Sequence, residues 1–439
     1  QTKFDMKKRF INLLCFLMLF VVVIAQETSQ TTMNVTLQEA RDYAIRNNRS
    51  MQNASLEVRK AHAQRWQTIA SMLPQADMSL NLQHVNGTMK FSMEGMQMNQ
   101  EMKNTTGSLS VSASMAINGQ MIVGALLNNL AIEMQNINYK STELDVVSNV
   151  ETFYITALAM QKTVNLLDST LIRMEDLYES TSKAVEAGAV EQTNADQLMV
   201  QIASVKSSIK ATKRSLDLIY NSLALQMAVG SDVKLVLTDN LDELLNVEDA
   251  VALLESDFNL NSNYSYQLAQ KNVELEKKNV IMAGMAYVPT ISAFYQYSSP
   301  NKYFSGSSPM EQQMGVVGAT LSIPLWSSGK RAAAITEKKL AVMSAQNSLA
   351  DAEDGLKLQH RQLKSDLSSA YENFDVQKLN IEVSQRVFNN TSEKFKYGYA
   401  SSVELTNASM TLLTAQSDYI QSILTLVNAQ IELKKLLNK

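Results

Sequence analysis

Ser108-Leu109-Ser110-Val111-Ser112-Ala113-Ser114-Met115-Ala116-Ile117 is the stretch whose reading decides the fold. Leu109, Val111, Ala113, Met115 and Ile117 hold one parity; Ser108, Ser110, Ser112 and Ser114 hold the other. A period of two is the pattern of a strand with one oily and one wet face. After the short Asn118-Gly119-Gln120 junction the chain runs from Gly124 to Gly188 with no glycine or proline between them, in residues that favour helix. At 1.5 Å per residue that is a rod ~95 Å long. A strand joined to such a rod suits a chain that crosses a membrane and then a wide aqueous gap.

Upstream, Val35–Asn48 reads as a helix with Thr36 as N-cap and Glu39 three residues on, a capping box. A second helix over Met51–Met72 stops before Pro74, because the residue before proline resists the α conformation. Met78, Leu80 and Leu82 then alternate with Asp77, Ser79, Asn81 and Gln83, a second strand. A polar loop is expected over Asn86–Gly107. Two strands of this kind suit a lipid-facing barrel wall with a wet lumen.

Downstream, Val164, Leu167, Leu171, Met174 and Tyr178 lie at alternating spacings of three and four, a coiled-coil seam. A turn at Gly188, a returning helix to Met227 and an acidic connector over Gly230–Asn246 complete the half. The plan then repeats. Pro289 answers Pro74 and Gly398 answers Gly188, at offsets of roughly 215 and 210 residues. The expected division is a signal peptide over 1–25 and a first repeat over 26–240, with helices 36–72, strands 76–117 and a helical hairpin 120–228. A second repeat follows over 241–439, with helices 247–287, strands 290–323 and a hairpin 328–437. In the last helix Leu405, Leu412, Tyr419, Leu426 and Leu433 are seven apart, beside a column of Ala408, Ala415, Ser422 and Ala429. A strict seven-residue repeat supercoils against a partner, and the small column lets it come close.

Composition bounds the rest. Met6-Lys7-Lys8-Arg9 before the apolar run Phe10–Ile24 reads as an export signal, cleaved at Ala25-Gln26. Its removal takes Lys3, Lys7, Lys8 and Arg9 against Asp5, so the chain becomes more acidic than its formal −4. That balance argues against nucleic acid as a partner. The single cysteine, Cys15, lies inside the signal and leaves no disulfide chemistry. No further apolar run approaches a membrane helix, so any span is made of strands. His62, His84 and His360 are far apart in sequence, and no phosphate-binding, nucleotide or nucleophile motif appears, so no catalysis and no cofactor are expected.

Four strands cannot close a transmembrane barrel, whose smallest form has about eight. Open edges in lipid are forbidden, so the protomer must associate: two copies give eight strands and three give twelve. The duplicated helix–strand–strand–helix plan, the Pro324-Leu325-Trp326-Ser327-Ser328-Gly329 junction and the paired turns resemble the TolC-like outer-membrane efflux channels over about Val35 to Leu437. The resemblance implies a mainly α protein with a membrane β-barrel: a homotrimer whose four strands per protomer make a 12-stranded transmembrane barrel continued by a coiled-coil periplasmic α-barrel. It implies an outer-membrane exit duct of a Gram-negative bacterium, in contact with outer-membrane lipid. The partners it implies are a periplasmic adaptor (membrane fusion) protein and an inner-membrane pump of RND or ABC type. A type I protein-secretion duct of the same fold is the alternative. A coiled-coil scaffold is the alternative of another class, and it leaves the four strands unexplained.

In that family the periplasmic end is pinched at the helical turns, and an acid six past the turn glycine supplies a charged ring. Glu404 stands six past Gly398. The pattern departs at Asn407, at Asn194 six past Gly188, and at Ala400, where the family carries a base, which argues against a salt-bridge lock. Phe395, three before Gly398, is a candidate to pack across the constriction. The plainer reading of Glu404 is an acid at a helix N-terminus, and of Gly188 and Gly398, turn glycines at the periplasmic tips. No metal is expected. Met89, Met93, Met96, Met98 and Met102 crowd the first loop, and thioethers suit Cu(I); but the chain holds 24 methionines, so loop packing is preferred. Tyr287, Tyr295, Tyr297, Tyr303, Phe304 and Trp326 read as an interfacial aromatic belt or as packing at the strand–helix junction.

Overall fold

The structure is a computed structural model that describes residues 31–93, 96–230, 232–245, 247–300 and 313–438. The expected signal over 1–25 and the aromatic pair Tyr303-Phe304 lie outside those residues. In chain order the elements are β1 (Thr31–Val35), α1 (Leu37–Asn47), α2 (Arg49–Ala70), β2 (Gln75–Met93), β3 (Met96–Ile117), α3 (Gly119–Glu186) and α4 (Gln192–Met227). Then come β4 (Val233–Leu237), α5 (Leu241–Leu244), α6 (Val247–Glu255), α7 (Tyr264–Gly284), β5 (Thr290–Pro300), β6 (Met314–Ser322), α8 (Lys330–Lys396) and α9 (Ser402–Leu437). Two compact units each draw on both halves of the sequence.

The first unit takes residues up to 49, 145–256 and 363–434. Leu167, Met174, Leu198, Phe388, Leu405 and Leu412 meet in one buried cluster, with Leu171 and Tyr178 packed at its edge. The seam read along α3 is thus spent on α4, α8 and α9. Each fully buried Leu or Phe contributes roughly 1.5–3 kcal/mol. The column Leu405, Leu412, Tyr419, Leu426 and Leu433 is buried, as are Ala408, Ala415 and Ser422 beside it.

The capping box at α1 forms: Thr36 accepts from the Glu39 N–H, and the Glu39 carboxylate accepts from the Thr36 N–H at 2.8 Å. The connector after α4 is more ordered than its acidic composition suggests. It holds β4, which pairs in parallel with β1, Thr31 opposite Val233 through Val35 opposite Leu237. Tyr154, fully buried, locks this pair: its hydroxyl lies 2.9 Å from both the Val35 carbonyl and an Asp239 carboxylate oxygen. The same Asp239 oxygen accepts from the Leu37 N–H at 2.6 Å.

The second unit takes 50–144, 257–362 and the residues from 435 on. Its sheet has the order β2-β3-β5-β6, every neighbour antiparallel. The loop expected over Asn86–Gly107 is instead strand: β2 and β3 stay paired from Gln75 opposite Ser114 out to Met93 opposite Met96. Polar residues hid it, because a ladder satisfies the backbone whatever the side chains are.

Register settles the faces. Met78 lies opposite Val111, Val111 opposite Tyr297, and Tyr295 opposite Val317, so the apolar parities of all four strands share one face. That face is bare: Val317 is 81% and Met78 74% exposed. The other face carries Ser79, Asn81, Ser110, Ser112, Gln296 and Thr320.

The junctions explain themselves locally. Asn118 caps α3, its side-chain oxygen accepting from the Met121 N–H at 2.9 Å. A Cβ on Gly119 would lie 2.8 Å from the Met285 sulfur, so a larger residue there would have to displace the Met285 side chain. At the other junction Ser328 has φ +47° and Gly329 φ +81°. Arg331 donates to the Pro324 carbonyl and the Ser327 hydroxyl, and its guanidinium lies 4.6 Å from the Tyr287 ring centroid.

Candidate functional site: the sheet faces and the helical tips

The sheet offers a surface that fits hydrocarbon and a surface that fits water. Its apolar face holds Met78, Leu80, Val111, Ile291, Val317 and Leu321, all more than a third exposed in the protomer. Such a face in water would be an aggregation hazard; against lipid it costs nothing. Tyr287, Tyr295 and Trp326 are also exposed, Trp326 at 87%. Both outer strands, β2 and β6, have one edge unpaired among the described residues of the protomer. Among the described residues no helix is long and apolar enough to cross a membrane.

The helical tips lie in the first unit and are built alike. The Ala189 N–H donates to the Ala184 carbonyl at 2.8 Å and the Gly188 N–H to Val185 at 2.9 Å, with Gly188 at φ +69°. At the second tip the Tyr399 N–H donates to Lys394 at 2.8 Å and the Gly398 N–H to Phe395 at 3.0 Å, with Gly398 at φ +76°. Both are Schellman ends with glycine at the left-handed position.

Past the second tip, Glu404 closes a capping box. Its carboxylate accepts from the Ser401 N–H at 2.8 Å, and its own N–H donates to the Ser401 hydroxyl at 3.2 Å. The side chain is nevertheless exposed. Asn407, one turn on, is exposed, and its carbonyl accepts from the Thr411 hydroxyl. Asn194 and Phe395 line one cavity of ≈ 470 Å³ between the tips, together with Gly398, while Glu404 and Asn407 do not. Phe395 is half-buried against the cluster of Leu405 and Phe388.

Charge at the first tip is fixed locally. Lys183 and Glu179 pair at 2.7 Å, and the hydrogen bond raises the lysine and lowers the carboxyl from their ordinary ranges. Sequence reading passed over Tyr397 and Tyr399, 73% and 84% exposed on either side of Gly398; aromatic residues flanking a turn glycine were the available signal. It also passed over a groove of ≈ 640 Å³ between α4 and α9, lined by Val200, Gln201, Val403, Thr406, Ser409 and Met410. Gln201 donates to the Thr406 hydroxyl there at 2.6 Å.

Met89, Met93, Met96, Met98 and Met102 stand on the paired backbone of β2 and β3; their side chains lie outside the described residues. No group of three or more His, Cys, Asp or Glu suited to a metal ion occurs among the described residues.

The sequence profile described as outer membrane efflux protein matches residues 40–230 and again 244–439. No curated protein matches the chain. Its fold is similar to that of the open-state outer membrane channel MtrE of Neisseria gonorrhoeae, with a TM-score of 0.72 at 16% identity over 91% of this chain and 88% of that one. The CmeC outer membrane channel of Campylobacter jejuni gives 0.70 at 15%, over 91% and 85%. CusC, a transmembrane channel, gives 0.71 at 16%, over 91% of each chain. The family is one of channels rather than enzymes. Two profile matches in tandem, on a chain whose strands and long helices repeat, mean that it is internally duplicated and belongs to the outer membrane efflux proteins.

Proposed function

We propose that three copies of this chain form the outer-membrane exit duct of a tripartite efflux assembly in a Gram-negative bacterium. Their sheets close a 12-stranded barrel, and their long helices form a periplasmic tunnel. Small molecules, drugs and toxic compounds among them, pass through it passively from an inner-membrane pump of RND or ABC type, joined by a periplasmic adaptor. The single observation that carries this reading is the four-stranded sheet with an apolar face, a hydroxyl-rich face and two unpaired edges. Only a closed ring of such sheets satisfies the backbone in lipid.

The helical tips are the proposed gate. Gly188 and Gly398 make the turns, Asn194 and Phe395 line the constriction, and three Glu404 carboxylates with Asn407 behind them face the permeant solute. The two repeats, 26–240 and 241–439 behind a signal over 1–25, supply one hairpin each. The test is conductance of the purified protein in planar bilayers, with heat-modifiable migration reporting the trimer. A water-soluble monomer without conductance refutes the duct. Glu404→Gln keeps the capping acceptor and removes the charge; unchanged cation preference in that variant dismisses Glu404 as the ring.

A further inference from the structure

Where its four strands all pair, the described wet face of the sheet is almost without charge. There it carries Ser79, Ser110, Ser112, Ser114, Ser298, Gln75 and Gln296, with Met314, Val316 and Phe294 (tucked over Gly318) among them, and one ionisable group, Asp77. Along its row Asp77 is followed by Ser112, Gln296 and Val316. Its side chain is exposed and has neither a hydrogen-bond nor an ion-pair partner among the described residues. It is the third residue of β2, which starts at Gln75, so it stands at the end of the sheet where the chain arrives from α2.

The neighbour that would close the barrel brings no counter-charge on this face. The free edge of β2 meets the free edge of β6 from a second copy, since those are the two open edges. On the wet parity β6 carries Met314, Val316, Gly318, Thr320 and Ser322. The cations after β6, Lys330 and Arg331, stand not on the strand but at the start of α8 beyond the turn over 324–329, and Arg331 is held there by the Pro324 carbonyl, the Ser327 hydroxyl and the Tyr287 ring.

We infer that Asp77 sets the charge preference of the barrel lumen: three copies form a carboxylate ring at the tunnel end of the barrel, favouring cations and cationic amphiphiles over anions. Fixed charge of one sign in a channel with low-dielectric walls raises the local concentration of the opposite ion. With uncharged polar and apolar groups elsewhere on the described four-stranded wall, no other fixed charge there competes with it. The inference rests on the trimeric duct proposed above.

The test uses the full chain in planar bilayers under a KCl gradient, reading the K⁺/Cl⁻ permeability ratio from the reversal potential. Wild type, Asp77→Asn and Asp77→Lys are compared, each also with Glu404→Gln so that a charged tip does not mask the lumen. The expected result is a cation-preferring wild type, a ratio at least threefold lower in the asparagine variant, and anion preference in the lysine variant. The effect should grow as salt is lowered, because screening weakens. Asparagine is isosteric at an exposed position, and heat-modifiable migration confirms that its trimer is intact. A conducting trimer whose ratio is the same for all three residues in both backgrounds overturns this inference alone. A protein that neither trimerises nor conducts overturns the duct and this inference with it.

Discussion

Tyr154→Phe is the sharpest probe of what holds the first unit together. The hydroxyl has one proton and two acceptors at 2.9 Å, the Val35 carbonyl and the Asp239 carboxylate. A hydrogen bond to a charged group is worth about 1.5–3 kcal/mol. The phenylalanine leaves both acceptors partly served, since Asp239 still receives the Leu37 N–H and Val35 still receives the Thr238 N–H at 3.2 Å. The lower end is therefore expected, about 1.5 kcal/mol, or roughly tenfold faster unfolding if the bond is broken in the transition state. The ring's packing is retained, so larger effects are not expected.

The assay is the unfolding rate of the detergent-solubilised protein in denaturant, followed by helical circular dichroism. Burial, and then the bond to Asp239, push the Tyr154 hydroxyl well above its ordinary pKa of 10.0. A raised folded-state value contributes stability that is complete below pH 10 and is lost as pH rises above it. That alkaline loss should be smaller in Tyr154→Phe than in wild type. With Asp239→Ala the two changes should fall short of additivity, because they remove the same contact. Additive effects, or a phenylalanine variant as stable as wild type on both sides of pH 10, would refute the lock.

Other expectations follow from single contacts. Ser328→Gly should stabilise by about 0.5–1 kcal/mol, read as slower unfolding, because a serine at φ +47° occupies backbone space that glycine takes freely. Gly318→Ala should displace Phe294, whose Cζ would lie 2.7 Å from the new Cβ; altered conductance with the trimer intact checks it. Lys271 bridges Glu133 at 2.6 Å and Glu274 at 3.2 Å. The hydrogen bond to Glu133 raises the lysine, and the bond from Lys271 lowers Glu274. Their contribution should hold from mildly acidic pH to about 10.5, fade as pH rises beyond that, and fade as pH falls below about 4.5. Lys271→Met should flatten both arms of that profile.

Much of the fold is written in short-range periodicity, and those parts were legible. The alternation at Ser108–Ile117 and the seam through Leu167 and Met174 each state a face, and the structure uses those faces. Glu404 was legible as an acid at a helix N-terminus; the capping box that it closes with Ser401 appears only in the structure. What escaped is long-range or masked by composition. β1 and β4 are five residues each, and their pairing partners are about two hundred residues apart, so no local pattern marks either. Asn86–Gly107 is polar enough to resemble a loop, and only its partner strand makes it a ladder. Asp77 was visible as one polar residue among several. Its isolation appears only when the register of four strands is laid out.

The two open edges of the sheet govern how the molecule is made. A lone protomer entering a bilayer would carry rows of backbone N–H and C=O groups into oil, at several kcal/mol for each one left unmet. In the trimer proposed above, three seams, each bounded by the nine residues of β6, would remove that penalty together. Membrane entry and subunit association are then a single event, steeply dependent on protein concentration. In that trimer a newly made chain would insert only together with two others, and once inserted none could leave without unzipping both of its neighbours.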